Sequence, residues 1–168
     1  LSPVNSQSIA ILSLNFISTG KSFLCNLISK FINRYIYMKN QDSILIFGSS
    51  GQIGKSLIRK FTKNNYRVIA VTRSIHQKGY QIKTQSNYGY LELEEISSFK
   101  EEVISQLMQR SSICINLIGI LYEKKQNDFN LIHSDLPSLL SNLALKNSLE
   151  QFINLSALGI ENASDSKY

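Results

Sequence analysis

The most informative segment of this chain is Ser43-Ile44-Leu45-Ile46-Phe47-Gly48-Ser49-Ser50-Gly51-Gln52-Ile53-Gly54. Its apolar run predicts a buried strand, its glycines predict a tight turn, and residues 55–61 continue as a helix. A strand, a glycine turn and a helix in this order present backbone N–H groups and a helix N-terminus to a phosphate. Gly48 suits a tight turn, Gly51 suits close approach of the backbone to a pyrophosphate, and Gly54 suits close packing of helix on strand. The stretch therefore predicts a dinucleotide site; the alternative is a glycine turn in another kind of α/β protein.

The rest of the chain continues the alternation of strands and helices. Residues 112–118 form a continuous apolar run, which is typical of a central parallel strand buried on both faces. The pattern predicts an α/β fold: a Rossmann-type doubly wound parallel sheet, incomplete, with about five strands. The predicted strands are 43–47, 67–73, 88–93, 112–118 and 151–156, the predicted helices are 54–64, 95–109 and about 127–147, and 74–87 is predicted as a polar loop.

Length and charge limit the function classes. The chain has 168 residues, enough for one domain with a substantial core, and a net charge of +6. Residues 1–41 carry four basic side chains and no acid, so residues 42–168 hold 14 basic and 12 acidic groups, a net charge of +2. Without a basic stripe and interleaved aromatic residues, the sequence does not predict nucleic-acid binding. Cys25 and Cys114 are far apart and indicate neither a disulfide scaffold nor a metal cluster, and Cys114 is expected to be a buried thiol.

Residues 1–37 are predicted to be an N-terminal extension of uncertain role, with the Rossmann domain at 38–168. The apolar run 9–17 is too short and too interrupted to span a bilayer. Residues 23–36 have helical spacing of apolar side chains, which fits a basic amphipathic helix on a membrane surface. The acid-poor composition also fits an organellar transit peptide. The favoured interpretation is an upstream extension without a structural role.

The end of the second predicted strand bears on the choice of cofactor. A carboxylate that binds a ribose 2′-hydroxyl is expected there, about 20 residues past the turn. The sequence instead has Arg73, whose charge would attract a 2′-phosphate and whose plane could stack on adenine. The sequence therefore favours NADP(H) over NAD(H), the alternative being that Arg73 is a solvated residue at a strand end.

Three further segments carry a resemblance to a known family. They are Asn116-Leu117-Ile118-Gly119, Ile132-His133-Ser134-Asp135-Leu136-Pro137 and Phe152-Ile153-Asn154-Leu155-Ser156-Ala157-Leu158-Gly159. Together with the glycine motif, they resemble the atypical short-chain dehydrogenase/reductase superfamily over residues 42–168. More narrowly, they resemble the 39 kDa accessory subunits of respiratory complex I and their bacterial relatives.

The resemblance implies a set of cofactor-binding residues. In the glycine turn these are Gly48, Ser50, Gly51, Gln52, Ile53 and Gly54, and elsewhere they are Arg73, Leu117, Ile118 and Gly119. In the complex I subfamily the bound NADPH has a structural role and is not turned over. The resemblance thus implies a non-catalytic NADP(H)-binding protein of a membrane respiratory complex.

The catalytic residues of active superfamily members are incomplete in this sequence. Those members use a Ser and a Tyr-x-x-x-Lys pair, in which Tyr is the general acid/base. The usual Ser position falls at Ala157, with Ser156 beside it, and Tyr168 is the last residue, so the matching Lys would lie beyond it. Ser156 and Tyr168 are thus weak catalytic candidates, and the sequence looks like a C-terminally truncated copy without independent activity.

Two alternatives to the accessory-subunit interpretation stay open. One is an NAD(P)-dependent oxidoreductase or sugar-nucleotide epimerase/dehydratase of the extended type, or a fragment of one. The other is a degenerate product without function. The expected location is the bacterial cytoplasm, including the inner face of the membrane, or the matrix side of the membrane in a mitochondrion.

No metal site is predicted. His76 lies in a polar loop and His133 at a helix start, without a second ligand at metal-binding spacing. The acidic residues Glu92, Glu94, Glu95, Glu101 and Glu102 are interpreted as a solvated strand end and helix face.

Overall fold

The computed structural model describes residues 43–122 and 128–157, and the backbone of residues 8–14. Its strands are β1 (Ser8–Leu14), β2 (Ser43–Phe47), β3 (Arg67–Thr72), β4 (Leu91–Glu95), β5 (Ile113–Asn116) and β6 (Gln151–Ala157). Its helices are α1 (Gln52–Lys63), α2 (Ile75–Lys83), α3 (Glu101–Gln109) and α4 (Leu136–Lys146). A short helical turn, Asp128–Asn130, and a π-helical turn, Leu131–Asp135, lead into α4.

The strands form one parallel sheet in the order β1-β6-β5-β2-β3-β4. The chain runs outward from β2 to β4, returns to β5 beside β2, and then continues to β6. Its direction thus reverses between β2 and β5, and in open α/β sheets ligands bind at the carboxyl ends of the strands at such a point. The predicted α/β class, a doubly wound parallel sheet, is confirmed.

The core is split between the two faces of the sheet. Along β2, Ile44 and Ile46 pack with α1, whereas Leu45 and Phe47 pack on the opposite face with α3 and α4. These four side chains are fully buried, because a strand between two helical layers turns successive side chains to opposite apolar faces. Cys114 on β5 is also fully buried, which confirms the expected buried thiol; burial raises the pKa of this thiol.

Strand β1 corrects the interpretation of residues 1–37 as structurally inert. Residues Ser8–Leu14 pair in parallel with β6, in a register that runs from Ser8 opposite Gln151 to Leu14 opposite Ala157. The carbonyl and N–H groups along the outer side of β6 otherwise form a sheet edge, and a sheet edge pairs with an available strand. The boundary at residue 37 stays a prediction, and the proposed amphipathic helix over 23–36 lies outside the described residues.

Helix α2 corrects the prediction of a loop at 74–87. Ser74 caps the helix, its Oγ accepting a hydrogen bond from the Gln77 N–H at 3.3 Å. Gly79 and Ile82 are buried, and a Cβ on Gly79 would lie 3.5 Å from the Leu93 side chain. Gly79 lowers the helix propensity of this segment, and packing against β4 overrides that local preference.

The observed boundaries of other helices and strands differ from the predicted ones by a few residues. The predicted helix at 95–109 begins at Glu101, and the strand predicted at 88–93 is shifted to Leu91–Glu95. Pro137 lies in the first turn of α4, as expected for a residue without an N–H. No helix of the described part of the chain is both long and apolar enough to cross a bilayer.

Candidate functional site

The glycine turn adopts a conformation that only glycine takes easily at its first position. Gly48 has a φ of +76°, in the left-handed region. A Cβ there would lie 2.9 Å from the carbonyl carbon of Leu117, so the turn runs directly against the backbone that follows β5. Gly48 thus brings the first turn and the β5 loop together at the carboxyl end of the sheet.

Helix α1 starts within this turn without a side-chain cap. Its N-cap residue is Gly51, whose N–H donates to the Gly48 carbonyl at 3.1 Å. The first turn of α1 holds no acidic residue. The first N–H groups of a helix have no acceptor within the helix, and the helix dipole makes them attractive to anions. The N-terminus of α1 can therefore accept a phosphate.

Gly54, in the first turn of α1, allows the helix to pack closely against the backbone of the glycine turn. A Cβ on Gly54 would lie 2.6 Å from the Gly48 carbonyl oxygen and 2.7 Å from the Cα and carbonyl oxygen of Ser49. Real Cβ atoms do not approach backbone atoms this closely, so any side chain here would push α1 away from the turn.

Ser49 is a structural member of the site that the motif did not single out. Its side chain is fully buried, and its Oγ donates to the Val71 carbonyl at 2.6 Å. This bond ties the glycine turn to β3 two residues before Arg73. The only feature of the sequence that could have indicated this role is the position of a small hydroxyl residue inside the glycine motif.

These elements enclose a cleft of about 250 Å³. Seven of the ten predicted cofactor residues line it: Gly48, Ser50, Gly51, Arg73, Leu117, Ile118 and Gly119. The lining that sequence reasoning missed is Val71, Thr72, Ile96, Phe99, Ile120 and Ile132. Arg73 is the only ionisable side chain among the described residues that line this cleft.

A larger cavity of about 790 Å³ adjoins the cleft. The two share Arg73, Phe99, Ile120 and Ile132, so they form one continuous depression. Asp128 and Asp135 add two carboxylates to the larger cavity. The combined depression has mostly apolar walls and one cation, which suits a ligand with an aromatic ring and phosphate groups.

The remaining predicted residues lie elsewhere. Gln52 is exposed at the first position of α1, and Ile53 is half-buried against the core. Gly54 is buried beneath the turn. Ser156 is half-buried on β6 and is not among the residues that line the two cavities. Tyr168 lies outside the described residues.

Asn116 holds the β5 loop in place. Its side chain is buried at the end of β5, where its Nδ2 donates to Asn154 Oδ1 on β6 at 2.8 Å. Its Oδ1 accepts a hydrogen bond from the Ile118 N–H at 3.2 Å. One buried amide thus joins two strands and orients a residue that lines the cleft.

We expect Asn116→Leu to lower the free energy of unfolding by about 2–3 kcal/mol, because it leaves Asn154 and the Ile118 N–H without their partner. Urea unfolding followed by circular dichroism measures this loss. The double variant Asn116→Leu/Asn154→Leu should recover part of it, because both partners of one hydrogen bond are then removed. A single variant within about 0.5 kcal/mol of the original chain would contradict the assignment.

His133, in the π-helical turn, contacts the backbone of the loop that follows β5. Its Nε2 lies 3.3 Å from the Ile120 nitrogen and 3.1 Å from the Ile120 carbonyl oxygen, so either tautomer has a partner there. The ring also lies beside Phe129, with centroids 5.8 Å apart. Across the described ranges, no group of three His, Cys, Asp or Glu side chains could hold a metal ion.

The acidic residues near β4 have defined partners. Arg110 forms ion pairs with Glu92 and with Glu94, the latter at 2.9 Å. The hydrogen bond from Arg110 lowers the pKa of the Glu92 carboxyl. Glu95 instead contacts the start of α2. The interpretation of these residues as a solvated surface agrees with the exposure of Glu92 and Glu95 but misses these contacts.

Comparison with known proteins is consistent with this fold. Residues 40–134 match the sequence profile of the NmrA-like family. The chain is 25% identical over 122 residues to mouse (Mus musculus) NADH dehydrogenase [ubiquinone] 1 alpha subcomplex subunit 9, mitochondrial. This match covers 73% of the chain and 32% of the mouse protein. The resemblance to complex I accessory subunits is therefore confirmed, although the chain spans about a third of that relative's length.

Two solved structures share the fold. Yeast methylglyoxal/isovaleraldehyde reductase Gre2, complexed with NADPH, superposes with a TM-score of 0.57 at 15% sequence identity. The superposition covers 67% of this chain and 36% of the Gre2 chain. The Bordetella bronchiseptica enzyme WbmH, in complex with NAD+, superposes with a TM-score of 0.52 at 17% sequence identity. The superposition covers 66% of this chain and 37% of the WbmH chain.

Proposed function

This chain belongs to the NmrA-like family, and on that premise we propose that its cleft binds a nicotinamide dinucleotide without catalysing a reaction. The proposed ligand is NADP(H) in preference to NAD(H). The observation that carries the proposal is the composition of the cleft: an uncapped helix N-terminus, apolar walls and the single cation of Arg73.

The geometry of the glycine turn supports dinucleotide binding. Gly48, Ser50 and Gly51 face the cleft next to the start of α1, where no carboxylate competes with a phosphate. Leu117, Ile118 and Gly119 also line the cleft and would hold the adenosine and nicotinamide-ribose side. The similar proteins solved with NADPH and with NAD+ agree with this class of ligand.

Arg73 supports the preference for NADP(H). It is exposed directly after β3 and lines both cavities, where its charge would attract a 2′-phosphate. NAD(H) has a hydroxyl at this position and would gain less from the guanidinium group.

The lining of the smaller cleft supports a binding role, because Arg73 is the only ionisable side chain among its described residues. Proton transfer needs a titratable group within reach of the substrate, and Tyr122, Asp128 and Asp135 line the adjoining larger cavity instead. The mouse relative is a subunit of NADH dehydrogenase [ubiquinone], so we propose an accessory role in a membrane respiratory complex, with the dinucleotide as a structural ligand.

An NAD(P)-dependent oxidoreductase, or an epimerase/dehydratase of the extended type, is the second candidate. The likeness of the fold to a reductase solved with NADPH favours it. Incubating the chain with NADPH and a panel of aldehydes tests the oxidoreductase: loss of NADPH absorbance supports it, and persistence of the absorbance counts against it.

Titration calorimetry of the full chain tests the proposed function. We expect both NADPH and NADH to bind, with NADPH tighter. Ser50→Asp should weaken both by about 10- to 100-fold, because a carboxylate beside the N-terminus of α1 repels the pyrophosphate and competes for the same N–H groups.

The control for this variant is Asn142→Asp. It adds one carboxylate at an exposed position of α4 that is not among the residues lining the two cavities, so it should bind as the original chain does. A folded original chain that binds neither dinucleotide would overturn the proposal.

A further inference from the structure

Glu95 is the last residue of β4 and lies beside the end of β3. In the parallel register Thr72 is opposite Glu95, and the next N–H, that of Ile96, donates to the Thr72 carbonyl at 3.0 Å. The pairing of the two strands therefore brings Glu95 to the start of the segment that carries Arg73.

The Glu95 carboxylate occupies the N-terminus of α2. Its Oε2 accepts a hydrogen bond from the N–H of Ile75, the first residue of the helix, at 2.6 Å. The first turn of α2 has no acidic residue of its own, so the negative charge that suits a helix N-terminus comes from the neighbouring strand. The Glu95 carboxylate is thus bound to the backbone at Ile75, two residues after Arg73 in the sequence.

This placement bears on the carboxylate that the sequence pattern led us to expect. NAD-binding sites carry an acidic residue at the end of the second Rossmann strand, and here that position holds Arg73. Glu95 delivers a carboxylate to the same corner of the sheet from the next strand. The corner therefore contains one positive and one negative group, with opposite preferences for a 2′-phosphate.

We propose that Glu95 is a specificity-determining residue that opposes Arg73 and limits the preference for NADP(H). The inference rests on the proposed function: Glu95 is not itself among the residues that line the cleft, but Ile96, the next residue, and Thr72, its partner in the sheet, both line it. A 2′-phosphate drawn in by Arg73 meets the Glu95 carboxylate and competes with it for the Ile75 N–H. The ribose 2′-hydroxyl of NAD(H) is uncharged and can donate a hydrogen bond to a carboxylate, so Glu95 does not repel it.

The test is Glu95→Gln, which keeps an oxygen acceptor for the Ile75 N–H and removes the charge. Titration calorimetry of the full chain with NADPH and NADH should show the ratio of the two affinities rising about tenfold in favour of NADPH. Adenosine 2′,5′-bisphosphate should gain relative to adenosine 5′-monophosphate by a similar factor, because this pair differs in the 2′-phosphate alone.

The matched control is Glu94→Gln. It makes the same change of charge one residue earlier, at a carboxylate paired with Arg110, and should leave both ratios unchanged. Thermal unfolding of both variants should stay close to that of the original chain, because Glu95 is exposed and the carboxylate–Arg110 pairs are at the surface.

The outcomes separate this inference from the proposed function. An original chain that binds these nucleotides, with ratios in Glu95→Gln that match those of Glu94→Gln, overturns the inference and leaves the proposed function intact. A folded original chain that binds none of the four nucleotides overturns the proposed function and the inference with it.

Discussion

Replacing Gly54 with alanine is expected to lower the free energy of unfolding by about 3 kcal/mol and the Tm by roughly 10 °C. The added Cβ would lie 2.6 Å from the Gly48 carbonyl oxygen and 2.7 Å from Ser49 Cα. Both neighbours are backbone atoms, so no side-chain rotation relieves the overlap. Because α1 must move away from β2, we also expect the phosphate-facing turn to lose its shape and dinucleotide affinity to fall.

Urea unfolding followed by circular dichroism measures this effect, and Gly79→Ala is its matched control. Gly79 is also buried within a helix, but a Cβ there meets the Ile75 side chain first, at 3.1 Å, and that side chain can shift. Alanine also favours a helix over glycine by about 1 kcal/mol, so we expect the control to stay within about 0.5 kcal/mol of the original chain. Equal unfolding midpoints for the two variants would contradict the close contact at Gly54.

Reversing the charge at Arg73 is expected to weaken NADPH binding by about 100-fold and NADH binding by less than about threefold. Arg73→Glu removes the guanidinium that would attract the 2′-phosphate. It also adds a second carboxylate near Glu95, at the start of α2. NADH lacks the phosphate and so escapes most of this penalty. Calorimetric titration with each dinucleotide gives both affinities.

Arg67→Glu is the control for this variant. Arg67 begins β3, at the opposite end of the strand from Arg73, and is exposed. The change in net charge is identical, so a general electrostatic effect on an anionic ligand would appear in both variants. If Arg73→Glu weakens NADPH and NADH equally, or no more than Arg67→Glu does, Arg73 does not contact the 2′-phosphate.

Local chemistry explains why much of the fold could be predicted from the sequence. The run Ser43–Phe47 is apolar throughout because both faces of β2 are covered, and this composition indicates a central parallel strand. The end of α1 was also predicted to within one residue: the helix stops at Lys63, and Asn65 takes a left-handed φ of +65°. In each case the signal lies in a few consecutive residues whose conformational preferences agree with their tertiary environment.

The candidate site was predicted where a motif, the order of the strands or the family resemblance indicated its residues. The turn from Gly48 to Gly51 and the end of β3 at Arg73 follow from motif and strand order, and both line the cleft. Phe99 and Ile132 line it too, but their place depends on how the helical segments pack over the sheet. No local pattern distinguishes these apolar side chains from ordinary core residues.

Local patterns in the sequence were enough to predict the strand–turn–helix unit, the parallel alternation of strands and helices, and Arg73 in place of the expected carboxylate. Three features could not be predicted in this way: the pairing of β1 with β6, the helix α2 around Gly79, and the contact of Glu95 with the Ile75 N–H. The difference lies in the range of the interactions. Backbone preference and hydrophobic periodicity act between near neighbours in the chain, whereas strand register and contacts across the sheet join residues distant in sequence.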